Sequence, residues 1–538
     1  MPGTIGRVIV LCVLLPSVAC DSPAPDGAVP GSSPAPDGPP LAAETLHDDL
    51  TARARRLAAA PYEPPGDDLP PALAGLDYDQ YRSIRFRPEA ALWKGAARFE
   101  LQLFHPGFIH REPVRLHLVE HGRITMVPFD PARFRYDGPA APAAAAVGPA
   151  TGHAGFRVHY PLNDAAIKDE TAVFLGASYF RLLGRGHVHG LSSRGLAIDT
   201  ALESGEEFPL FREFWLVRPA PDAAALTFHA LLDSRSVAGA YRFVLEPGAP
   251  TTLDVEARLF ARADVAKLGV APLSSMFLYG RNRLRAFDDF RPQVHDSDGL
   301  LLHAADGEWI WRPLGNGPDV QLAAFPGAAP RGFGLVQRER RFESYLDAEA
   351  RYDRRPSEWI EPLGADWGSG RVELLEFQVD SEFADNVAAY WVPDEPFTAG
   401  AERAYRYRLS TFDARLPDQT LAQVERTSIG RDALPGQPDA PPPSRRRMVV
   451  DFGPLPAAVA DPGGAGAPPP VEAVLDASSG QVSDLVVQPL PEARGWRAAF
   501  RLEPAAGAPA ELRLYLHRGG RRVSETWNYV WHPEHVRH

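Results

Sequence analysis

Three segments of the chain alternate apolar and polar residues with period two. They are Val114-Arg-Leu116-His-Leu118, Leu253-Asp-Val255-Glu-Ala257-Arg-Leu259 and Leu512-Arg-Leu514-Tyr-Leu516. Successive strand side chains point to opposite faces, so each segment buries one face and wets the other, the habit of antiparallel sandwiches. Glycine and proline punctuate the chain throughout, and no run of alternating strand and helix patterns appears. The predicted fold class is all-β. One short helix is expected near the start: Thr45 stands at capping-box distance from Asp48, and Leu46, Leu50, Ala54 and Leu57 follow helical spacing. Pro61, Pro64 and Pro65 end it.

At roughly 150 residues per domain, a chain of 538 residues has room for two to four domains. The best boundary lies at the Pro-bounded turn Pro393-Asp-Glu-Pro396, between a strand ending at Tyr390-Trp391 and one beginning at Tyr405-Arg-Tyr407-Arg-Leu409. This predicts a large β-sandwich over 43–396 and a small one, of immunoglobulin size, over 397–538. Stretches 137–150, 431–445 and 454–470 are rich in Ala, Pro and Gly and read as surface loops or insertions.

The two cysteines sit at the N-terminus. In MPGTIGRVIVLCVLLPSVAC, Arg7 precedes the apolar run Val8 to Leu15, too short to span a bilayer and suited to a signal peptide over 1–20. Ser17-Val18-Ala19-Cys20 resembles a lipobox with Ser17 at its usual Leu position, making Cys20 the expected lipidation site. Asp21 then favours retention on the inner membrane. Ordinary export with cleavage nearby is the alternative. Residues 21–42 are almost wholly Pro, Gly, Ser, Ala and Asp, too poor in apolar surface to order, and read as a disordered tether. Cys12 falls within the removed segment, so the mature chain is expected to form no internal disulfide.

A formal charge of −13 argues against a nucleic-acid binder. No phosphate-binding P-loop, dinucleotide fingerprint or HExxH helix is present, and Gly190-Leu-Ser192-Ser-Arg-Gly195 is one residue too long for a nucleophile elbow. His187-Val-His189 lacks a neighbouring carboxylate and reads as a surface pair; no metal site and no cofactor are expected.

The acidic clusters are more informative. His295-Asp296-Ser297-Asp298-Gly299 and Glu382-Phe-Ala-Asp385-Asn386 lie far apart in sequence, the second just before the apolar run Val387 to Trp391. Two carboxyl groups brought together in one cleft are what glycoside hydrolysis needs, one to protonate the leaving oxygen and one to activate water or attack. An Asx-turn at 296–298 and solvated loop acids at Glu382 and Asp385 fit the spacing as well. Tyr179, Trp309, Trp311, Tyr352, Trp359 and Trp367, interleaved with Arg181, Arg312, Arg354 and Arg355, could stack on sugar rings and bond their hydroxyls, or simply pack a core.

The motif series then acquires a family likeness. Asp77-Tyr-Asp-Gln-Tyr-Arg-Ser-Ile-Arg-Phe-Arg-Pro88, Phe104-His-Pro-Gly-Phe108, Phe174-Leu-Gly-Ala-Ser-Tyr-Phe-Arg181 and Gly195-Leu-Ala-Ile-Asp-Thr200 resemble the periplasmic glucan biosynthesis proteins G and D. So do His295-Asp-Ser-Asp298, Gly307-Glu-Trp-Ile-Trp-Arg-Pro313, Arg331-Gly-Phe-Gly334, Arg354-Arg-Pro-Ser357 and Ser524-Glu-Thr-Trp527, and the likeness runs from about residue 43 to 532. It implies a galactose-mutarotase-like sandwich followed by an immunoglobulin-like domain, acting on osmoregulated periplasmic glucan with a β-1,2-linked backbone. The family is similar to glycoside hydrolase family 186, which cleaves β-1,2-glucan with inversion or rearranges it by transglycosylation.

Carried over by motif, the resemblance implies Asp385 as general acid and Asp296 as general base, with His295, Asp298, Glu382 and Asn386 in support. Tyr179, Arg181, Trp309, Trp311, Tyr352, Arg354 and Arg355 are the expected substrate-binding residues. β-1,2-Glucan is the expected partner, with the inner-membrane glucan synthase and a homodimer as further ones, and a lipid anchor as the membrane contact. His187 and His189 depart from the Gln/Tyr pair usual in that strand. A non-catalytic glucan-binding scaffold serving the synthase is the rival reading.

Overall fold

The structure is a computed structural model. It describes residues 45–66, 69–281, 287–364, 366–433, 441–442, 444–455, 469–505 and 507–533. The expected signal peptide, Cys20 and the tether lie outside the described residues. Among the described residues no helix is long and apolar enough to cross a membrane.

The fold is an all-β sandwich, as the alternation predicts. A ten-stranded sheet runs in the order Glu100–Phe104, Gly155–Asp164, Ile167–Leu175, Tyr179–Leu182, Ser192–Arg194, Leu268–Ser275, Val387–Pro393, Ser369–Glu376, Gln321–Ala328, with Leu196–Ile198 added beside Leu268–Ser275. It faces part of a fifteen-stranded sheet across a core rich in phenylalanine. Phe156 and Phe174 of the first sheet stack at 5.2 Å, and Phe174 meets Phe228 and Phe243 of the second edge-on at 5.1 and 5.4 Å. Each such buried ring stabilises by about 1.5–3 kcal/mol.

The alternating segment at 253–259 forms strand Thr252–Ala261, whose Leu253, Val255, Ala257 and Leu259 are buried while Asp254, Glu256 and Arg258 face outward. The helix is Leu46–Ala58, and its buried Leu46, Leu50 and Ala54 cover the outer side of the long sheet beside Trp215, Leu231 and Phe260. The expected side-chain cap from Thr45 does not form.

The small sandwich begins later than expected. Strand Glu402–Phe412 pairs along nearly its whole length with Thr252–Ala261 on one side and Ser357–Pro362 on the other, inside the long sheet of the large sandwich. The proline-bounded turn at 393–396 therefore links the two sheets of one sandwich. Its composition marks a turn, and a turn carries no record of which sheet the next strand joins.

The two sandwiches share the long sheet. Trp309–Pro313 pairs in parallel with Thr526–Trp531, which with Ala510–Arg518 and Val471–Ala477 extends that sheet over the second core. The opposite layer is a four-stranded sheet in the order Val424–Arg431, Arg446–Phe452, Trp496–Glu503, Gln481–Pro489. Glu525, fully buried, accepts two hydrogen bonds from Arg338, at 2.9 and 2.7 Å, and one from the Val424 amide at 2.8 Å. The stretch Gly138–Ala146, expected as a surface loop, forms 3-10 turns whose Ala143 packs against Leu69, Leu73, Leu76 and Tyr81. Small side chains let these turns approach the neighbouring helices closely.

Candidate active site

Strand Leu268–Ser275 leaves the ten-stranded sheet at Ser275 and re-forms as the ribbon Phe277–Tyr279, paired with Val294–His295. Both acidic clusters hang on this crossing. The Asp296 amide donates to the Met276 carbonyl at 2.8 Å. The Asn386 amide donates to the Ser275 carbonyl at 3.0 Å. The Asn386 side chain accepts from the Phe277 amide at 2.8 Å and donates to the carbonyls of Phe277 and Phe377 at 3.0 and 2.9 Å. Three consecutive backbone units thus anchor Asp296 on one side and the residue following Asp385 on the other. Asn386 is a clamp with every polar atom engaged.

Asp296 is 4% exposed and forms an ion pair with Arg355, itself buried. Burial pushes the Asp296 carboxyl above its ordinary range; Arg355 and Arg181 oppose that shift, and the nearby charge of Asp385 adds to it. Arg355 lies 3.9 Å over the ring of Tyr352. The Tyr352 hydroxyl donates to Glu382 at 2.6 Å, and Glu382 also accepts from Arg291 at 2.7 Å. A Cβ at residue 190 would stand 2.9 Å from the Cβ of Arg355, so only glycine lets the 190 backbone close over that guanidinium stem.

The supporting residues take distinct positions. His295 is fully buried, stacks on Phe277 at 5.3 Å, and donates from Nδ1 to Gln337 at 2.8 Å. Gln337 in turn donates to the carbonyls of His295 and Tyr352 at 2.9 and 3.2 Å, locking the two site segments together. Asp298 accepts the backbone amides of Arg338 and Glu339 at 2.6 and 2.9 Å. It is a tertiary strut, not an Asx-turn, and Glu382 is a bound acid, not a solvated one.

Arg181 donates to Ser192 at 3.0 Å, and its charge acts on Asp296. Tyr179 lies under Arg194, whose guanidinium is 4.7 Å from the ring centre. Arg354 donates to the Gly186 carbonyl at 2.8 Å and holds that loop.

Trp309 and Trp311 do not line the site. They are 5% and 3% exposed in the second core, between the long sheet and the four-stranded sheet, where Trp309 stacks on His303 at 3.9 Å and Arg338 covers Trp311 at 3.5 Å. Two residues apart on strand Trp309–Pro313, they share the face that the second core covers, so neither indole is left for a sugar. His187 pairs with Asp413 at 2.9 Å and His189 with Glu170 at 2.5 Å. Among the described residues no group of three His, Cys, Asp or Glu is placed to hold a metal ion.

The sequence reading passed over Arg194, Arg291 and Glu358. Arg194 donates to Ser274 at 2.8 Å and Glu206 at 2.6 Å, and the charge of Asp385 acts on it. It lies in the segment 190–195, whose Gly and Ser spacing carries no sign of this role.

Glu358 is fully buried; its Oε2 accepts from Ser193 at 2.7 Å and its Oε1 has no hydrogen-bond partner. Burial pushes this carboxyl up to about 8. Because the folded value lies above the unfolded one, folding takes up a proton between about pH 4.5 and 8. The stabilisation is full at lower pH and is lost as pH rises through that window, by about 1.4 kcal/mol per unit. Thermal melts between pH 5 and 8 are therefore expected to show a flatter decline in Glu358→Gln than in wild type.

Residues 46–531 match the family described as "Periplasmic glucan biosynthesis protein, MdoG". The chain belongs to this family. Among MdoG relatives, the "Glucans biosynthesis protein G" of Ralstonia nicotianae is 46% identical over 501 residues, covering 90% of this chain and 96% of that protein. Those of Rhodopseudomonas palustris (strain BisA53) and Shewanella frigidimarina are each 45% identical. The first covers 89% of this chain and 91% of the relative; the second covers 90% and 84%. The matched span takes in both sandwiches and every MdoG-family residue placed at the site above.

Proposed function

We propose that this chain acts on β-1,2-glucan as an inverting glycoside hydrolase or transglycosylase that trims or remodels the backbone, with Asp385 as general acid and Asp296 as general base. One observation carries the reading: Asp296 and the residue after Asp385, distant in sequence, are tied to the same three-residue crossing, and the charge of Asp385 reaches Asp296. Asp296 is paired with a buried guanidinium, while Asp385 feels Arg194. We place the enzyme in the periplasm beside the inner-membrane glucan synthase, held by a lipid on Cys20.

The test is incubation of purified protein with linear β-1,2-glucan, followed by chromatography of released oligosaccharides and NMR of their first-formed anomer. Release of α-anomeric ends supports inverting hydrolysis of a β-linkage. New chain lengths or cyclic products without net reducing ends support transglycosylation. Binding of the polymer with no change in its length would overturn the enzymatic reading and leave a scaffold for the synthase.

A further inference from the structure

Three exposed phenylalanines lie on chain segments that meet at one arginine. Phe290, Phe383 and Phe342 are 73%, 56% and 38% exposed, and Leu346 beside them in sequence is 42% exposed. Water-exposed phenylalanine adds nothing to folding, and a cluster of them marks a contact site. Phe290, Phe383 and Leu346 each adjoin a residue of the Arg291 cluster, and Phe342 opens the 3-10 turn Phe342–Ser344 just before Leu346. This guanidinium binds Asp289 at 2.7 Å, Asp347 at 2.9 Å and Glu382 at 2.7 Å. Phe290 precedes Arg291, Phe383 follows Glu382, and Leu346 precedes Asp347, so the Arg291–Glu382 pair ties together the two segments that carry the most exposed rings. Phe342 lies 5.9 Å from the guanidinium of Arg351.

A chain of contacts links the Arg291 cluster to the acids. Glu382 accepts from Tyr352, whose ring carries Arg355, which pairs with Asp296, and Phe383 stands two residues from Asp385. We infer that Phe290 and Phe383 form a stacking platform for glucosyl rings of a glucan chain next to the reacting unit, with the Arg291–Glu382–Asp347 cluster binding the hydroxyls. The inference rests on a glucan being the ligand of this site.

Chemistry selects that occupant. A glucose ring presents apolar C–H faces to aromatic rings and a rim of hydroxyl donors. Three carboxylates share one guanidinium here, leaving acceptor lone pairs for those donors and repelling an anionic ligand. Arg291 holds the Asp289 carboxyl well below the usual range, so it stays an ionised acceptor. A protein partner would engage roughly 20–30 residues on this face, whereas the apolar patch comprises four side chains.

The experiment compares wild type with the Phe290→Ala/Phe383→Ala double variant. Polymeric β-1,2-glucan and short β-1,2-oligosaccharides serve as substrates, and polymer binding is measured by calorimetry in an Asp385→Asn background. Loss of each ring is expected to weaken polymer binding roughly tenfold, with kcat/KM falling more for polymer than for short chains. Phe290→Tyr/Phe383→Tyr should restore both. Loss of binding in the alanine variant supports the platform even when wild type releases no product, an outcome that sinks only the enzymatic reading. Turnover by wild type with polymer affinity unchanged in the alanine variant overturns the platform alone. A dimer that becomes a monomer in the alanine variant with glucan affinity intact also overturns it, giving the rings to a second copy. Absence of any polymer binding by the Asp385→Asn protein overturns both.

Discussion

Asp385→Asn is expected to lower product release from β-1,2-glucan by about 10²–10⁴-fold, the usual contribution of one positioned general acid. The substitution keeps the size and shape of the side chain but removes the proton that the proposed general acid would give to the glycosidic oxygen. The fold has little reason to respond. Backbone bonds from Asn386 and the strand Val387–Pro393 set the position of residue 385, and neither uses the Asp385 carboxyl. Polymer affinity should therefore survive while turnover falls. Oligosaccharide release at the wild-type rate from the Asn variant, measured under single-turnover conditions, would remove Asp385 from the mechanism.

Arg355→Ala is expected to cost about 3–5 kcal/mol of stability at pH 7–8, because it strands a buried carboxylate without its counter-charge. The guanidinium also covers the Tyr352 ring at 3.9 Å, so packing is lost with the charge. Burial already holds the Asp296 carboxyl above its ordinary range, and Arg355 opposes that shift. Removing Arg355 raises the folded value further. The sign follows: an acid whose folded pKa exceeds its unfolded one stabilises below the unfolded value and loses that contribution as pH rises. The variant should be nearer wild type at pH 5 than at pH 8 in denaturant melts. If Asp296 is the base, the acid limb of kcat/KM should move to higher pH in the same variant. An unmoved limb in a folded Arg355→Ala protein would separate Asp296 from the chemistry.

Much of this architecture was legible in the chain itself. Alternation at 253–259 identifies a strand with one buried face, and the structure buries those same residues. Leu46, Leu50 and Ala54 announce a helix by spacing, and they are its buried stripe. The site was legible only in part. The motifs around Asp296 and Asp385 can be read one by one, but their meeting depends on hydrogen bonds from two distant segments to Ser275, Met276 and Phe277, residues with no chemical signature of their own. Arg291 and Arg194 were invisible for the same reason: an arginine among 56 basic residues gains meaning only from the acids it reaches.

The tryptophans show the converse. Trp309 and Trp311 stand among aromatic and arginine residues that look like a sugar site, yet the parallel pairing of their strand with Thr526–Trp531 makes them part of the second core, under the four-stranded sheet. Strand Glu402–Phe412 looked like the start of the small domain and belongs to the large one. Neither outcome is written in local composition.

By itself the sequence determined what depends on nearest neighbours along the chain: strand and helix periodicity, the turns, the low-complexity stretches and the family likeness carried by short motifs. Tertiary structure decided which strands share a sheet, which aromatics are core and which acids share a site. The physical reason is that periodicity sets which face of a segment avoids water, whereas its partner is chosen by hydrogen bonds and packing with segments far away in the chain.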